Sequence, residues 1–152
     1  MAGHEMDYSQ ITDEIFIGSD LCKGLSCPIH TREFERLGIC GEINLEIEHA
    51  ELPPKNIDAY LWLPVVDRQS PTLDQFLIGT SALAEMVKLK NKIYVHCKNG
   101  HGRSPTLVAA YLMRYKGMDM DGAIKFIKEK RPEIHIEEAQ KKALEEFAKQ
   151  WK

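Results

Sequence analysis

The sequence lacks several features that would assign it to a specialised class of protein. Its 152 residues contain no run of eighteen or more apolar residues, so no transmembrane helix is predicted. Internal repeats, low-complexity tracts and Gly/Ser-rich linkers are also absent. The polar segment 1–10 has neither the apolar core of a signal peptide nor an Arg-rich amphipathic character. We therefore predict one domain over residues 1–152, in a cytoplasmic protein without stable membrane insertion.

Cysteine and net charge are also scarce. Four cysteines are too few for a disulfide scaffold of this length. Cys22 and Cys27 have only His30 nearby and no second close pair to complete a structural zinc site. The formal net charge is −3, so the chain as a whole does not attract nucleic acid, and any attraction to phosphate must be local. We expect no metal, no cofactor and no nucleic-acid partner, and we expect a monomer.

Hydrophobic periodicity predicts strands that alternate with helices. Short apolar runs suited to buried strands occur at 15–17, 43–45, 59–66 and 93–95. Helices are predicted at about 29–37, 72–90 and 106–115, followed by one that Asp119 caps and a last one with an apolar stripe ending at Trp151. This alternation predicts an α/β fold, a single-domain three-layer sandwich with a central, mostly parallel sheet of four to five strands flanked by helices.

Residues 93–106 combine a strand, a glycine-containing loop and the start of a buried helix. Glycines in such a loop allow backbone N–H groups to converge on one point. The N-terminus of the following helix, near Ser104, adds N–H donors and a partial positive charge. We therefore predict a loop that binds phosphate or another oxyanion, through Lys98, Asn99, Gly100, His101, Gly102 and Arg103.

Cys97 and Arg103 supply reactive groups to this loop. A thiol near a helix N-terminus and beside an arginine has a pKa depressed into the range of about 3.5–7.5, so it is a nucleophilic thiolate at neutral pH. The planar guanidinium of Arg103 can grip two phosphate oxygens, which a lysine could not do. The Ser104 hydroxyl can stabilise the sulfur as a leaving group. A merely structural role for the Cys97 thiol does not account for this combination of neighbours.

The segment resembles the signature of the cysteine-dependent protein tyrosine phosphatases, which is His-Cys, five residues, then Arg-Ser/Thr. His96, Cys97, Arg103 and Ser104 carry the match. Chain length and element order resemble the small dual-specificity branch, and 131–134 looks like a late turn of that family. The resemblance implies a cysteinyl-phosphate intermediate, no metal or other cofactor, and a phosphorylated protein or peptide as substrate.

The resemblance also implies roles for single residues. Asp67 is the expected general acid, with Asp74 as the alternative, and His96 is expected to position Cys97 through local hydrogen bonds. Gln140 is a candidate for positioning the attacking water, or else an exposed helix residue. Cys40 is either a disulfide partner that protects Cys97 or a core residue.

The sequence and its resemblance leave the substrate class open. A phosphatase of phosphotyrosine, with phosphoserine and phosphothreonine, is the main hypothesis. The alternative is a phosphatase of phosphoinositides or phospholipid head groups, because Lys98 and His101 add positive charge to the loop and 94–112 resembles a mitochondrial-type phospholipid phosphatase. A third reading is a non-catalytic phosphate-binding module. The acidic run around Glu46, Glu48 and Glu51 is predicted to be a solvated loop.

Overall fold

A computed structural model describes residues 7–21 and 27–150 of the chain. Five strands and five helices are assigned in this part, and Cys22 and Trp151 lie outside it. The strands are β1 (Tyr8–Gln10), β2 (Ile15–Gly18), β3 (Ile39–Glu46), β4 (Ala59–Val65) and β5 (Lys92–His96). The helices are α1 (Pro28–Leu37), α2 (Leu73–Lys88), α3 (Arg103–Lys116), α4 (Met120–Lys130) and α5 (Glu138–Ala148).

The strands form one sheet in the order β1-β2-β5-β3-β4. All neighbouring pairs are parallel except β1 and β2. The prediction of a mostly parallel sheet of four to five strands is therefore confirmed. Strand β5 lies at the centre, where His96 is in register with Gly18 on one side and Asn44 on the other. The loop after β5 thus leaves the carboxyl edge of the sheet, which is where ligands bind in open α/β folds.

Both faces of the sheet are covered, which gives the predicted three layers. Because side chains alternate along a strand, Ile15 and Ile17 join the large core cluster under α2 to α5, whereas Phe16 packs in a smaller cluster with Phe34 of α1. Helix α3 crosses the centre of the large cluster and is buried from Arg103 to Met113. This burial confirms the expectation drawn from its nearly uniform apolar sequence.

Strand β1 is the element that hydrophobic periodicity missed. Its sequence is Tyr-Ser-Gln, and none of the three residues is buried. The strand exists because β2 offers it an antiparallel edge, a tertiary cause that local sequence does not show. No helix of the described ranges is long and apolar enough to cross a membrane.

Candidate active site

The loop between β5 and α3 turns its carbonyl groups outward. The carbonyl of Lys98 accepts from the Asp20 N–H at 3.0 Å, and that of His101 accepts from the His135 N–H at 2.7 Å. Between them, the carbonyls of Asn99 and Gly100 accept from one side chain, that of Arg131, at 3.0 and 2.9 Å.

These outward carbonyls determine where the N–H groups of the loop point. In a planar trans peptide the C=O and the following N–H lie on opposite sides. The N–H groups of Asn99, Gly100, His101 and Gly102 therefore point into the loop, and no other described residue accepts from them. Several convergent, unpaired N–H groups form a concave site for an anion.

Gly100 is required by the shape of this loop. Its φ is +72°, a conformation that L side chains rarely adopt. A Cβ at this position would also lie 2.6 Å from the Gly18 carbonyl oxygen and 2.8 Å from Arg131 Nη2. The loop can therefore pack against β2 only with glycine at residue 100.

Cys97 lies at the start of the loop with only 2% of its surface exposed. Its Sγ is 3.4 Å from the hydroxyl oxygen of Ser104, in the first turn of α3. The sulfur is thus close to the N-terminus of a 14-residue helix, which is the positive end of the helix dipole. Cys40 is half-buried, unbonded to another cysteine and packed against the core, and burial raises the pKa of its thiol.

Arg103 is buried but presents one free edge of its guanidinium. Nη1 donates to Glu48 Oε1 at 2.7 Å and to the Val65 carbonyl at 2.7 Å, and Nη2 donates to Glu48 Oε2 at 3.1 Å. Nε has no hydrogen-bond partner among the described residues. Each Nη carries two N–H groups, so the edge formed by Nε and Nη2 remains open, and this edge matches two oxygens of a phosphate.

Asp67 lies at this open edge of Arg103. Its Oδ1 is 3.7 Å from Arg103 Nε, and 63% of its side chain is exposed. Asp67 follows the end of β4 by two residues. Asp74, the alternative acid, lies in the first turn of α2 and makes no ion pair with Arg103. The geometry therefore favours Asp67 as the carboxyl group that faces a bound phosphate.

His96 is fully buried between the sheet and the acidic segment after β3. Its Nε2 lies 2.8 Å from Glu42 Oε2 and 3.2 Å from Glu51 Oε1, and its Nδ1 lies 3.4 Å from the Cys97 carbonyl oxygen. Burial opposes a charge on this ring, but the hydrogen bond to Glu51 and the Cys97 charge outweigh it, so the pKa of His96 is raised. The local bond to Cys97 agrees with the positioning role expected of His96.

The prediction that Glu46, Glu48 and Glu51 form a solvated loop is wrong for Glu46 and Glu51, whereas Glu48 is exposed. Glu46 is 1% exposed and hydrogen-bonds His49, and the Glu51 side chain is 3% exposed. They are buried because each faces a histidine, as Glu48 faces Arg103. A signal was present, since this segment follows a parallel strand and so lies at the same sheet edge as the Cys97 loop.

Two groups of described side chains could hold a metal ion by proximity alone. They are Glu42 with Glu51 and His96, and Asp20 with Glu46 and His49, whose donor atoms lie within 4.8 Å of one another. In each group the histidine already hydrogen-bonds a carboxylate. We therefore describe both groups as ion-pair clusters.

Gln140 lies near the loop, but its amide is largely occupied. Its Oε1 accepts from the Glu137 N–H at 2.8 Å, and its Nε2 donates to the Gln69 carbonyl at 3.1 Å. Gln140 is fully buried, so the alternative of an exposed helix residue is wrong. Lys98 is exposed and His101 half-buried. Gln140 and His101 line one cleft together with Asp67, Arg68, Asn99, Gly102, His135 and Glu137.

The fold and the loop that begins at Cys97 together define a cysteine-dependent phosphatase domain. Comparison with known proteins gives its family. Residues 26–150 match the family described as dual specificity phosphatase, catalytic domain. The chain therefore belongs to the dual specificity phosphatase family.

Individual relatives in this family differ in what their names say they act on. Phosphatidylglycerophosphate phosphatase PTPMT2 of Arabidopsis thaliana is 31% identical over 76% of this chain and 53% of the relative. Mouse dual specificity phosphatase 28 is 30% identical, over 82% of this chain and 74% of the relative. Human phosphatidylglycerophosphatase and protein-tyrosine phosphatase 1 is 40% identical over 53% of this chain and 40% of the relative. The chain thus spans about half the length, or less, of the two phosphatidylglycerophosphate phosphatases.

Solved structures show the same architecture. The crystal structure of PTPMT1 in complex with PI(5)P superposes with a TM-score of 0.81 at 27% identity, covering 93% of this chain and 94% of the other. Human DUSP28 gives a TM-score of 0.81 at 22% identity, over 93% of each chain, which is a likeness of fold alone.

Proposed function

We propose that this protein hydrolyses phosphate monoesters through a cysteinyl-phosphate intermediate. The observation that carries the proposal is the open Nε and Nη2 edge of buried Arg103, beside four inward N–H groups and the Cys97 thiol. These donors match the three peripheral oxygens of a phosphoryl group in transfer. A non-catalytic phosphate-binding module is the less economical reading, because Cys97, Arg103 and Asp67 are all present.

The reaction proceeds in two steps. The Cys97 thiolate attacks phosphorus, the S–P bond forms, and the bond from phosphorus to the ester oxygen breaks while Asp67 gives that oxygen its proton. Asp67 then accepts a proton from water as the water attacks phosphorus, and the S–P bond breaks to release phosphate. Ser104 donates a hydrogen bond to the departing thiolate sulfur, and Gln140 is the candidate for positioning the water.

The reaction needs no metal ion, because Arg103 and the loop N–H groups supply the positive charge that a metal would supply. Activity that survives EDTA and dialysis is the expected outcome. Activity lost in EDTA and restored by a divalent cation would contradict the proposal.

A phospholipid head group is the substrate class that we favour. Two of the three relatives above are named for phosphatidylglycerophosphate, and the human one is named a protein-tyrosine phosphatase as well. The loop also carries Lys98 and His101. Exposed apolar residues also stand directly beside the site carboxylates in the chain: Ile47, Leu52 and Val66 are 47%, 72% and 46% exposed. Exposed apolar residues in the segments that carry these carboxylates suit a phosphate ester attached to a hydrophobic molecule.

A phosphorylated protein is the second candidate. Mouse dual specificity phosphatase 28 is matched over more of this chain than the other two relatives are, and exposed apolar residues also suit the ring of phosphotyrosine. A location in the cytoplasm remains part of this second hypothesis.

One substrate panel separates the candidates. Phosphatidylglycerophosphate and phosphoinositides in mixed micelles are compared with phosphotyrosine, phosphoserine and phosphothreonine peptides, each with Cys97→Ser as the blank. A lipid kcat/KM at least about tenfold above that of any peptide would support the first candidate, and the reverse ratio the second. Turnover by Cys97→Ser equal to that of the native protein would refute the shared mechanism.

A further inference from the structure

Arg131 is a buried charge that the proposed mechanism does not use. Its side chain is fully buried and belongs to the turn after α4. Nε donates to the Gly100 carbonyl at 2.9 Å, and Nη2 donates to the Asn99 carbonyl at 3.0 Å. One rigid guanidinium thus holds two consecutive peptide groups of the phosphate-binding loop.

The other side of the same guanidinium is tied to the N-terminal edge of the sheet. Arg131 Nη1 and Nη2 donate to the two carboxylate oxygens of Asp7 at 3.2 and 3.1 Å, and Nη1 also donates to the Ser9 hydroxyl at 3.1 Å. Asp7 is held in turn, because its carbonyl accepts from the Ser19 N–H at 2.9 Å. The residue directly before strand β1 therefore carries the counter-ion that fixes Arg131.

We propose that Arg131 and Asp7 form a positioning pair that keeps the N–H groups of Gly100 and His101 directed at the bound phosphate. The physical reason is the trans peptide unit, in which a carbonyl held outward requires the next N–H to point inward. Without Arg131 these two peptide units can rotate, and their carbonyl oxygens can then face the phosphate. This inference rests on the proposed function of the same loop.

The hydrogen bonds, the charge and the shape of Arg131 all support a positioning role. Inward N–H groups leave the outward carbonyls without partners in a buried region, where an unpaired carbonyl is costly, and Arg131 pairs both. A buried arginine would be costly by itself, but Asp7 neutralises it from a place where 54% of the carboxylate side chain is exposed. Arginine also provides the planar fork that two adjacent carbonyls need, which lysine does not provide.

Three variants in the full chain test the proposal. Arg131→Met removes both loop contacts, Arg131→Lys keeps the charge without the fork, and Asp7→Asn removes the counter-ion charge. Arg114→Met is the matched control, because Arg114 also donates to a carbonyl and two hydroxyls, but on α2 and away from the loop. Orthovanadate binding by calorimetry and kcat with KM on an aryl phosphate are measured beside Tm.

The expected effects on vanadate binding and kcat/KM, compared with those on Tm, distinguish a positioning role from a purely stabilising one. Arg131→Met should weaken vanadate binding and lower kcat/KM by about 10²-fold or more, the effect of losing a preorganised oxyanion donor. Vanadate binding and kcat/KM of Arg131→Lys and Asp7→Asn should lie between those of Arg131→Met and those of the native protein. Arg114→Met should lower Tm by a similar amount and leave vanadate binding within about twofold.

Different results would contradict the positioning role of Arg131 and the proposed function of the loop. If Arg131→Met folds and binds vanadate as the native protein does, or if Arg114→Met weakens binding equally, Arg131 does not position the loop. If the native protein itself binds neither vanadate nor phosphate, the proposed function fails before this inference is tested. Should Arg131→Met not fold, Asp7→Asn gives the same comparison with a smaller change.

Discussion

The buried cluster of His96, Glu42 and Glu51 allows a prediction whose sign can be derived from the structure. Burial alone lowers the pKa of a histidine, because it disfavours the charged form. Here the pKa of His96 is raised above its ordinary 6.5 despite burial, chiefly by the hydrogen bond to Glu51. Both ring nitrogens also face oxygen atoms, on Cys97 and on the carboxylates, and the doubly protonated ring can donate to both when the carboxylates are ionised. The double variant Glu42→Gln/Glu51→Gln should therefore bring the pKa of His96 below 6.5.

The pH dependence of stability should change sign between the two proteins. In the native protein, between pH 6.5 and the raised pKa of His96, the folded ring holds a proton that the unfolded ring has released, so stability is lost as pH rises through this interval. In the double variant the folded ring is neutral, and stability is lost as pH falls below 6.5. The limiting slope for one proton is about 1.4 kcal/mol per pH unit.

Urea unfolding between pH 6 and 8 measures this slope, with Cys97→Ser in both proteins so that the charge of Cys97 does not contribute to the pKa of His96. The difference between the two proteins removes the contribution of the other histidines. NMR of ring-labelled histidine then assigns the proton to His96 or to a carboxylate of the coupled cluster. Equal slopes in the two proteins, together with an unchanged His96 resonance, would show that Glu42 and Glu51 do not raise the pKa of His96.

Three further predictions follow from single residues. Asp67→Asn should lower kcat by about 10²–10⁴-fold on alkyl phosphates and much less on p-nitrophenyl phosphate, whose leaving group needs no proton; equal losses would exclude Asp67 as the acid. Gly100→Ala should be less stable than Gly117→Ala in thermal unfolding, because both have a positive φ, of 72° and 69°, but only Gly100 has neighbours within 4 Å; equal losses would contradict this. The hydrogen bond from Arg103 lowers the pKa of Glu48 below its ordinary 4.5. Glu48→Gln should therefore lower the free energy of unfolding by about 1–3 kcal/mol at neutral pH, and this difference should disappear as pH falls through that pKa. A difference independent of pH would count against the ion pair.

Local sequence was sufficient for the parts of the site that are local in the chain. Strand, loop and helix follow one another over 92–116, as the apolar runs and two glycines predict, and binding of an anion by this loop stays a prediction. The resemblance to the phosphatase signature selected Cys97 and Arg103. Asp67 lies 36 residues before Arg103 in the sequence, and its proximity to the arginine agrees with the expectation drawn from that resemblance.

The partners that fix these groups could not be predicted in the same way. Glu48 is 55 residues from Arg103, Glu42 is 54 residues from His96, and Asp7 is 124 residues from Arg131. A glutamate on a surface and a glutamate against a buried arginine are identical in a single sequence. What distinguishes them is the strand order, which brings β3 beside β5 and β1 to the edge next to β2.

Two buried arginines and one buried histidine lie around one six-residue loop, and each is held by a carboxylate. Arg103 is paired with Glu48, Arg131 with Asp7, and His96 with Glu42 and Glu51. Buried ion pairs contribute little net stability, because the desolvation of both ions offsets their attraction. Their placement is explained better by transition-state charge, since donors that are already fixed need no reorganisation when a phosphoryl group becomes more negative. The carboxylates hold the cations in place, and the open edge of Arg103 and the loop N–H groups are left for the substrate.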